Sequence, residues 1–252
     1  NICNIGLKWY GGSCQQVINF YLTLTCDCSQ MRKIILTIAM FVQFVYAQNT
    51  TVSKDDQYVK ALELRVSKII APLNIEKKRK LGKVHRIITS QYQALNTIHS
   101  NRDGKIKELK QAHTASADDL RLLVAGVESA AGNQVAKIHS TFLHDLGRHL
   151  SVTQVDAVKD GMTYNVANIT YKGYQDMLPS LTDGQKTKIW NWLAEAREIA
   201  MDAETSEKKH WWFGKYKGRI NNYLSAEGFD MKKESEAWQK RIKLASQKNA
   251  IK

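Results

Sequence analysis

The chain has 252 residues, with 37 Lys and Arg against 24 Asp and Glu and a formal net charge of +13 at pH 7. Its length allows one good core or two small ones. A charge this positive in a cytosolic protein would point to nucleic acid, but the first landmark along the chain argues against that.

The landmark is Met31 to Ala47. Arg32 and Lys33 form a short basic start, Ile34 to Val45 is an almost unbroken apolar run, and Val45-Tyr46-Ala47 places small residues where a signal peptidase cuts. This order is that of a secretory signal peptide, so the reading takes Met31 as the start, cleavage after Ala47 and Gln48 as the mature terminus. Residues 1–30, with Gly11-Gly12 and scattered cysteines, share no periodicity with the rest of the chain and read as an upstream segment outside the native protein. Cys3, Cys14, Cys26 and Cys28 all lie there. A chain starting at Gln48 therefore carries no disulfide, thiol nucleophile or cysteine-held cofactor, and no cysteine follows the apolar run to take a lipid. The run is also shorter than the roughly 20 apolar residues of a transmembrane helix. A soluble, periplasmic or extracellular product without a stable membrane anchor is expected.

Removing Lys8, Arg32, Lys33 and Asp27 leaves a net charge of +11. Outside the cytoplasm, the acidic partners open to such a protein are uronate-rich or sulfated glycans, lipopolysaccharide or an acidic protein. A basic surface that only aids solubility is the plain alternative.

From Gln48 onward only Pro72 and Pro179 interrupt the sequence, and apolar residues recur at helical spacing. After a flexible leader, 48–54, residues 55–252 read as a single all-α domain. A first helix runs from about Asp55 to Ile70 and stops before Ala71-Pro72. A second, from about Ile75 to Ala112, carries Leu81, Val84, Ile88, Gln91, Leu95, Ile98 and Leu109 along one seam. A third, from about Ser116 to Leu150, buries Leu120, Val124, Val127, Val135, Ile138, Phe142 and Leu146. Two long helices joined by a short polar turn form a long antiparallel hairpin, packed against a bundle of shorter C-terminal helices.

In that bundle, Ser151-x-x-Gln154 and Thr182-x-x-Gln185 are capping boxes that open helices near Val152 to Asp160 and Asp183 to Ala203. Gly161 to Ile169 reads as a loop and Thr170 to Leu178 as a short helix stopped by Pro179. Helices from about Ser206 to Ala226 and Lys232 to Gln247 come next, with Gly228 between them.

Three places could carry chemistry. On the second helix, Tyr92, Asn96, His99 and Asp103 are spaced four, three and four apart, one polar stripe beside the apolar seam, with Arg102 close by. It suits a hydroxyl-rich ligand, or equally a hydrogen-bond network between helices, and His99 with Asp103 could act as an acid/base pair. Arg197 shares a face with Trp190, Leu193, Ala200 and Met201, so it must snorkel, pair with a carboxylate or meet a ligand.

The densest cluster is Lys208 to Tyr223. As a helix it sets Trp212, Tyr216, Arg219 and Tyr223 on one stripe and Lys208, Trp211, Lys215 and Asn222 on another, while Gly214 and Gly218 would let a second backbone come close. Aromatic faces interleaved with cationic and amide donors suit sugar rings and their carboxylates; a core role for the aromatics is the competing reading. Phosphate loops, His-Glu-x-x-His and Gly-x-Ser-x-Gly are missing, and His139, His144 and His149, five apart, scatter around their helix. Neither metal nor cofactor is expected.

Four blocks carry a family likeness: Lys159-Asp160-Gly161-Met162-Thr163-Tyr164, Tyr174-x-x-Met177-Leu178-Pro179, Glu195-Ala196-Arg197-Glu198 with Ala200-Met201-Asp202, and Phe213 to Leu224. They resemble an uncharacterised family of exported proteins from Bacteroidota-type bacteria, catalogued as a domain of unknown function and labelled sugar-binding. The likeness covers nearly all of Asp55 to Lys243. It implies an exported protein associated with glycan use, which with the charge suggests an acidic oligo- or polysaccharide as ligand. Asp160 and Tyr164 of the first block join the candidate ligand residues. The alternatives are a glycan-processing enzyme of unassigned reaction and a small helical periplasmic chaperone, whose paired Leu-Ser/Thr-x-x-Gln starts this chain also resembles.

Overall fold

A computed structural model of the chain describes residues 54–112 and 116–250. The expected signal peptide, its cleavage site, the four cysteines and the leader lie outside the described residues, apart from Lys54, which opens a helix. Residues 58–252 form one compact unit.

The protein is all-α. Among the described residues there are helices α1 (Lys54–Ile70), α2 (Lys78–Ala112), α3 (Ala117–Gly147), α4 (Val152–Met162), α5 (Val166–Met177), α6 (Asp183–Met201), α7 (Ser206–Ala226) and α8 (Met231–Ala250), a 3-10 turn (Ala71–Leu73) and no strand. No described helix is long and apolar enough to cross a membrane.

Helix boundaries reflect local chemistry. Ser151 accepts from Gln154 N at 3.2 Å while Gln154 Oε1 accepts from Ser151 N at 3.2 Å, so both capping-box bonds at the start of α4 are present. Thr182 and Gln185 repeat the arrangement before α6, at 3.3 and 3.0 Å. Each box satisfies two amides that the first turn leaves without partners. Gly228 ends α7 with φ +95°, where the bond from Phe229 N to Leu224 O (3.1 Å) closes the turn.

Among the described residues two hydrophobic cores form. The first joins α1, the 3-10 turn and α2, α3 and α4 through Val66, Leu73, Val84, Ile88, Phe142, Leu146 and Val158. The second joins α5, α6 and α7 through Tyr174, Ile189, Leu193, Phe213, Ile220 and Leu224. Each such side chain contributes about 1.5 to 3 kcal/mol on leaving water. The end of α6 serves both: Ala200 lies in the second core and Met201 in the first. Early residues of α2 share a groove with late residues of α3, and late residues of α2 meet earlier ones of α3, so the two helices run in opposite directions.

Several sequence expectations shift. Helix α2 starts at Lys78, not Ile75, because Asn74 takes a left-handed φ of 50° after the 3-10 turn. Leu81, placed on the α2 seam, is exposed. The loop expected over Gly161 to Ile169 shrinks to three residues. Gly161 is helical, and the reason for its missing side chain is α1: a Cβ there would meet Ile69 Cγ1 at 3.0 Å. The glycine serves close packing, not a turn. Gly214 and Gly218 admit no neighbouring backbone, since nothing lies within 4 Å of a Cβ at either.

Candidate functional site

The polar centre of the molecule is built on Asp202, the C-cap of α6, only 9% exposed. Its Oδ2 accepts from His139 Nδ1 of α3 at 2.6 Å, and its Oδ1 from Gln91 Nε2 of α2 at 3.3 Å. Its backbone carbonyl accepts from His99 Nε2 at 2.8 Å. The other ring nitrogen, His99 Nδ1, accepts from Arg102 at 3.1 Å, so the two bonds together define the Nε2–H tautomer. Arg102 continues the chain to Asp103 (2.7 Å) and Glu204 (3.2 Å).

The charges of this centre are tuned by their neighbours. The bond to Asp202 raises the His139 pKa, and the Asp202 and Glu198 charges add to it against burial and Lys159. Burial would raise the Glu204 carboxyl, but a backbone hydrogen bond and the Arg102 guanidinium outweigh it and hold the group below the usual carboxylate range. Lys209, 4% exposed, donates to the carbonyls of Ala200 (2.9 Å) and Met201 (2.8 Å) at the end of α6. Burial pushes its amine down to about 8.

Beside this centre opens a cleft of about 300 Å³ between α2, α3, α6 and α7. His99, Arg102, Asp202 and Glu204 line its polar side, and Trp211, Trp212 and Lys208 its α7 wall. The two indoles meet edge to face at 4.9 Å, and Trp211 is 56% exposed. Lys215 Nζ lies 5.1 Å from the Trp212 ring centre, near the outer limit of cation–π contact. The arrangement offers a flat apolar face, hydrogen-bonding groups already fixed in place, and cations at the rim.

The structure brings His99, Arg102 and Trp212 of the sequence candidates to this cleft, leaves Lys215 beside the Trp212 ring and outside the lining, and disperses the rest. The stripe on α2 splits: Tyr92 is in the first core with Arg65 over its ring, Asn96 is exposed, and Asp103 pairs with Arg102 and makes no bond to His99. The acid/base pair His99–Asp103 therefore does not form. Arg197 finds carboxylates: it donates to Asp160 at 2.8 Å and Asp156 at 2.7 Å, which occupies Arg197 and Asp160 structurally. Asn168 also donates to Asp160, at 2.8 Å. Tyr164 sits in the three-residue turn with φ 58° and stacks on His210 at 5.8 Å.

The stripe on α7 is divided as well. Tyr216 is buried in the second core, where burial and the Glu195 carboxylate push its hydroxyl up to about 12. Arg219 covers the Trp192 ring at 4.6 Å and approaches Glu195 at 3.6 Å. Lys188 covers the Tyr223 ring at 4.0 Å. Each of these rings carries one of the protein's own cations over a face. Asn222 is exposed on the same helix.

Sequence reasoning misses Asp202, His139, Glu204 and Lys209. Asp202 and Glu204 lie in the break between α6 and α7, and carboxylates at such a break, beside a helix bearing His99, are the available signal. The spacing of His139 to His144 and His149 forms no metal face and so hides its role; its partner comes from another helix. Among the described residues no group of three or more His, Cys, Asp or Glu side chains is placed to hold a metal ion.

An all-helical protein with two cores, a buried carboxylate centre and an aromatic-walled cleft is the class these observations define. The chain belongs to the family described as Protein of unknown function (DUF3826), whose sequence profile matches residues 59–244. The match takes in all four blocks that carried the family likeness. No curated protein matches the chain.

Proposed function

We propose that this protein is an exported, periplasmic or extracellular glycan-associated protein that binds a saccharide in the α2–α3–α6–α7 cleft, with acidic sugars preferred. The observation that carries the reading is the pairing of an exposed indole, Trp211, with the fixed polar groups of Arg102, His99 and Glu204 across one small cleft. A pyranose stacks its C–H face on an indole and presents hydroxyls at its edge, and the lining cation Lys208, with Lys215 beside the Trp212 ring, favours a uronate or sulfate.

Calorimetry with matched acidic and neutral oligosaccharides tests it. Stacking on one indole is worth about 1 to 3 kcal/mol by analogy with base stacking on aromatic side chains, so Trp211→Ala should weaken both ligands by about ten- to a hundredfold. Lys208→Gln should weaken the acidic ligand more than the neutral one. Binding of unfolded protein clients with no saccharide binding would replace this reading with the chaperone alternative.

A second reading rests on Glu128 and Glu204, which line the same cleft. Two carboxylates flanking a sugar are the equipment of glycoside hydrolysis, and Glu204, held ionised, would be the base or nucleophile. Chromatographic product analysis with pectic, sulfated and neutral oligosaccharides decides: cleavage abolished by Glu204→Gln establishes an enzyme, and affinity without products a binding protein.

A further inference from the structure

The excess positive charge of this chain is not spread evenly. Most buried and half-buried cations have acidic partners: Arg102, Lys159 and Arg197 each lie within 3.2 Å of a carboxylate oxygen. The stretch where early α2 meets late α3 is different. There Lys83 and Arg86 of α2, Lys137 of α3 and the α3 C-cap Arg148 line a groove of about 530 Å³ whose sole lining carboxylate is Asp145. Among the described residues none of these four cations makes an ion pair, and Asp145 is engaged with His144 at 3.3 Å. Arg86 bonds only the carbonyl of Gly82, at 3.3 Å through Nε, which leaves the rest of its guanidinium fork toward the groove or solvent.

Four like charges gathered along two packed helices repel one another, and the repulsion is relieved when an anion enters. We infer that this groove is a binding site for a linear anionic polysaccharide, sulfated or carboxylated, separate from the aromatic cleft and independent of the reading given for it.

Three features select that class. The cations recur at helical spacing, and Lys137 to Arg148 spans about 16 Å at 1.5 Å per residue; this suits charges spaced along a chain better than one small anion. Ser90 and Thr141 set hydroxyls between the cations, and the Thr141 hydroxyl donates to its own helix at Lys137 O (3.1 Å), so its lone pairs can accept from a sugar hydroxyl. The floor is apolar and closed: Ile87 and Ile138 are half-buried and Phe142 is 3% exposed. The rings of this lining are the buried Phe142 and the half-buried His149, whereas single-stranded nucleic acid is held by successive bases stacked on several open aromatic side chains.

The test is calorimetry with a heparin hexasaccharide as the sulfated probe, at low and at raised salt. Arg86 and Arg148 are exposed, so Arg86→Gln/Arg148→Gln should fold with an unchanged thermal midpoint and weaken the probe about 10- to 100-fold. Lys105→Gln/Lys110→Gln, equal in charge change but at the far end of α2, should leave affinity within about twofold. Trp211→Ala should also leave it unchanged, which separates this site from the cleft. Equal losses in the two charge variants, no binding by the unmodified protein, or tighter binding of a single-stranded oligonucleotide of the same charge would each overturn the assignment. As a second probe of the same groove, Lys83→Glu/Lys137→Glu should abolish binding.

Discussion

His139 Nδ1 lies 2.6 Å from Asp202 Oδ2, and this contact ties α3 to the end of α6 across 63 residues of sequence. The same carboxylate accepts from Gln91, and the Asp202 carbonyl accepts from His99. One residue therefore holds two helices, α2 and α3, to the end of α6, where the two cores meet. Removing it strands buried donors, which costs about 1 to 3 kcal/mol for each one left unsatisfied. We expect Asp202→Ala to lose about 2 to 4 kcal/mol in urea unfolding, with Asp202→Asn milder because the amide oxygen still accepts. A loss under about 0.5 kcal/mol, the size of an ordinary surface change, would show the centre to be dispensable for folding.

The same contact sets a pH dependence. The Asp202 bond raises the folded-state pKa of His139 above its ordinary value of 6.5. The folded protein then holds a proton that the unfolded chain releases, so this stabilisation is complete below pH 6.5 and fades as pH rises through the raised folded value. Unfolding free energy measured from pH 5.5 upward should fall across that window, and His139→Gln should flatten the curve there. Arg102, Lys159 and Glu198 face the same centre, so the difference between the two proteins, not the raw slope, is the readout.

Lys209 works in the opposite direction at higher pH. Its folded pKa of about 8 lies below the ordinary 10.5, so between those values the unfolded chain binds the proton and the folded protein releases it. Stability contributed by this group therefore rises with pH above 8. From about pH 10 the buried Tyr174 and Tyr216 hydroxyls oppose it, since their folded pKa values are raised to about 12. Unfolding between pH 8 and 9.5 should show a rising Lys209 component that is missing from Lys209→Met.

The helices and their caps are legible in the sequence because their causes are local. Ser151, Gln154, Thr182, Gln185 and Gly228 each act within about one turn of themselves, and the α3 seam from Leu120 to Leu146 keeps helical periodicity. The site is less legible because its causes are distant. His139 and Asp202 are brought together by the fold alone, and Tyr216 shares its helical stripe with Trp212 yet lies in the core while Trp212 reaches the cleft. Periodicity gives the face of a helix. It does not say which part of that face another helix will cover. Gly161 reads as a loop start for the same reason: its cause is Ile69, 92 residues earlier.

Gly161 gives a direct steric test. A Cβ at this position would stand 3.0 Å from Ile69 Cγ1 and 3.2 Å from Ile69 Cγ2, with the Ile69 side chain buried in the first core. Gly161→Ala gains about 1 kcal/mol of helix propensity and meets an overpacking cost of typically 1 to 3 kcal/mol. Net destabilisation is expected, visible as a lower thermal midpoint. Ile69→Ala removes the two nearest carbons and leaves only Ile69 Cβ, at 3.3 Å, so adding Gly161→Ala to it should cost less than it does in the unmodified protein. Additive losses in that double-mutant cycle would mean that Gly161 acts through something other than Ile69.

Arg219 separates the cleft from the wider aromatic surface of α7. Its guanidinium lies 4.6 Å over the Trp192 ring and 3.6 Å from a Glu195 oxygen, and both members of the ion pair are more than half exposed. Such pairs contribute about 0 to 1 kcal/mol, and an exposed cation–π contact about 0.5 to 1 kcal/mol. With its charge engaged and its partner ring covered, Arg219 has little left for a saccharide. Arg219→Ala should therefore lower stability by no more than about 1 kcal/mol and leave acidic and neutral saccharides bound as before. Trp211→Ala should do the reverse, weakening binding while the exposed indole's loss leaves the unfolding midpoint nearly unchanged. If calorimetry instead finds acidic ligands selectively weakened by Arg219→Ala, the cation must leave Trp192 to bind them, and the binding surface extends along α7 beyond the cleft.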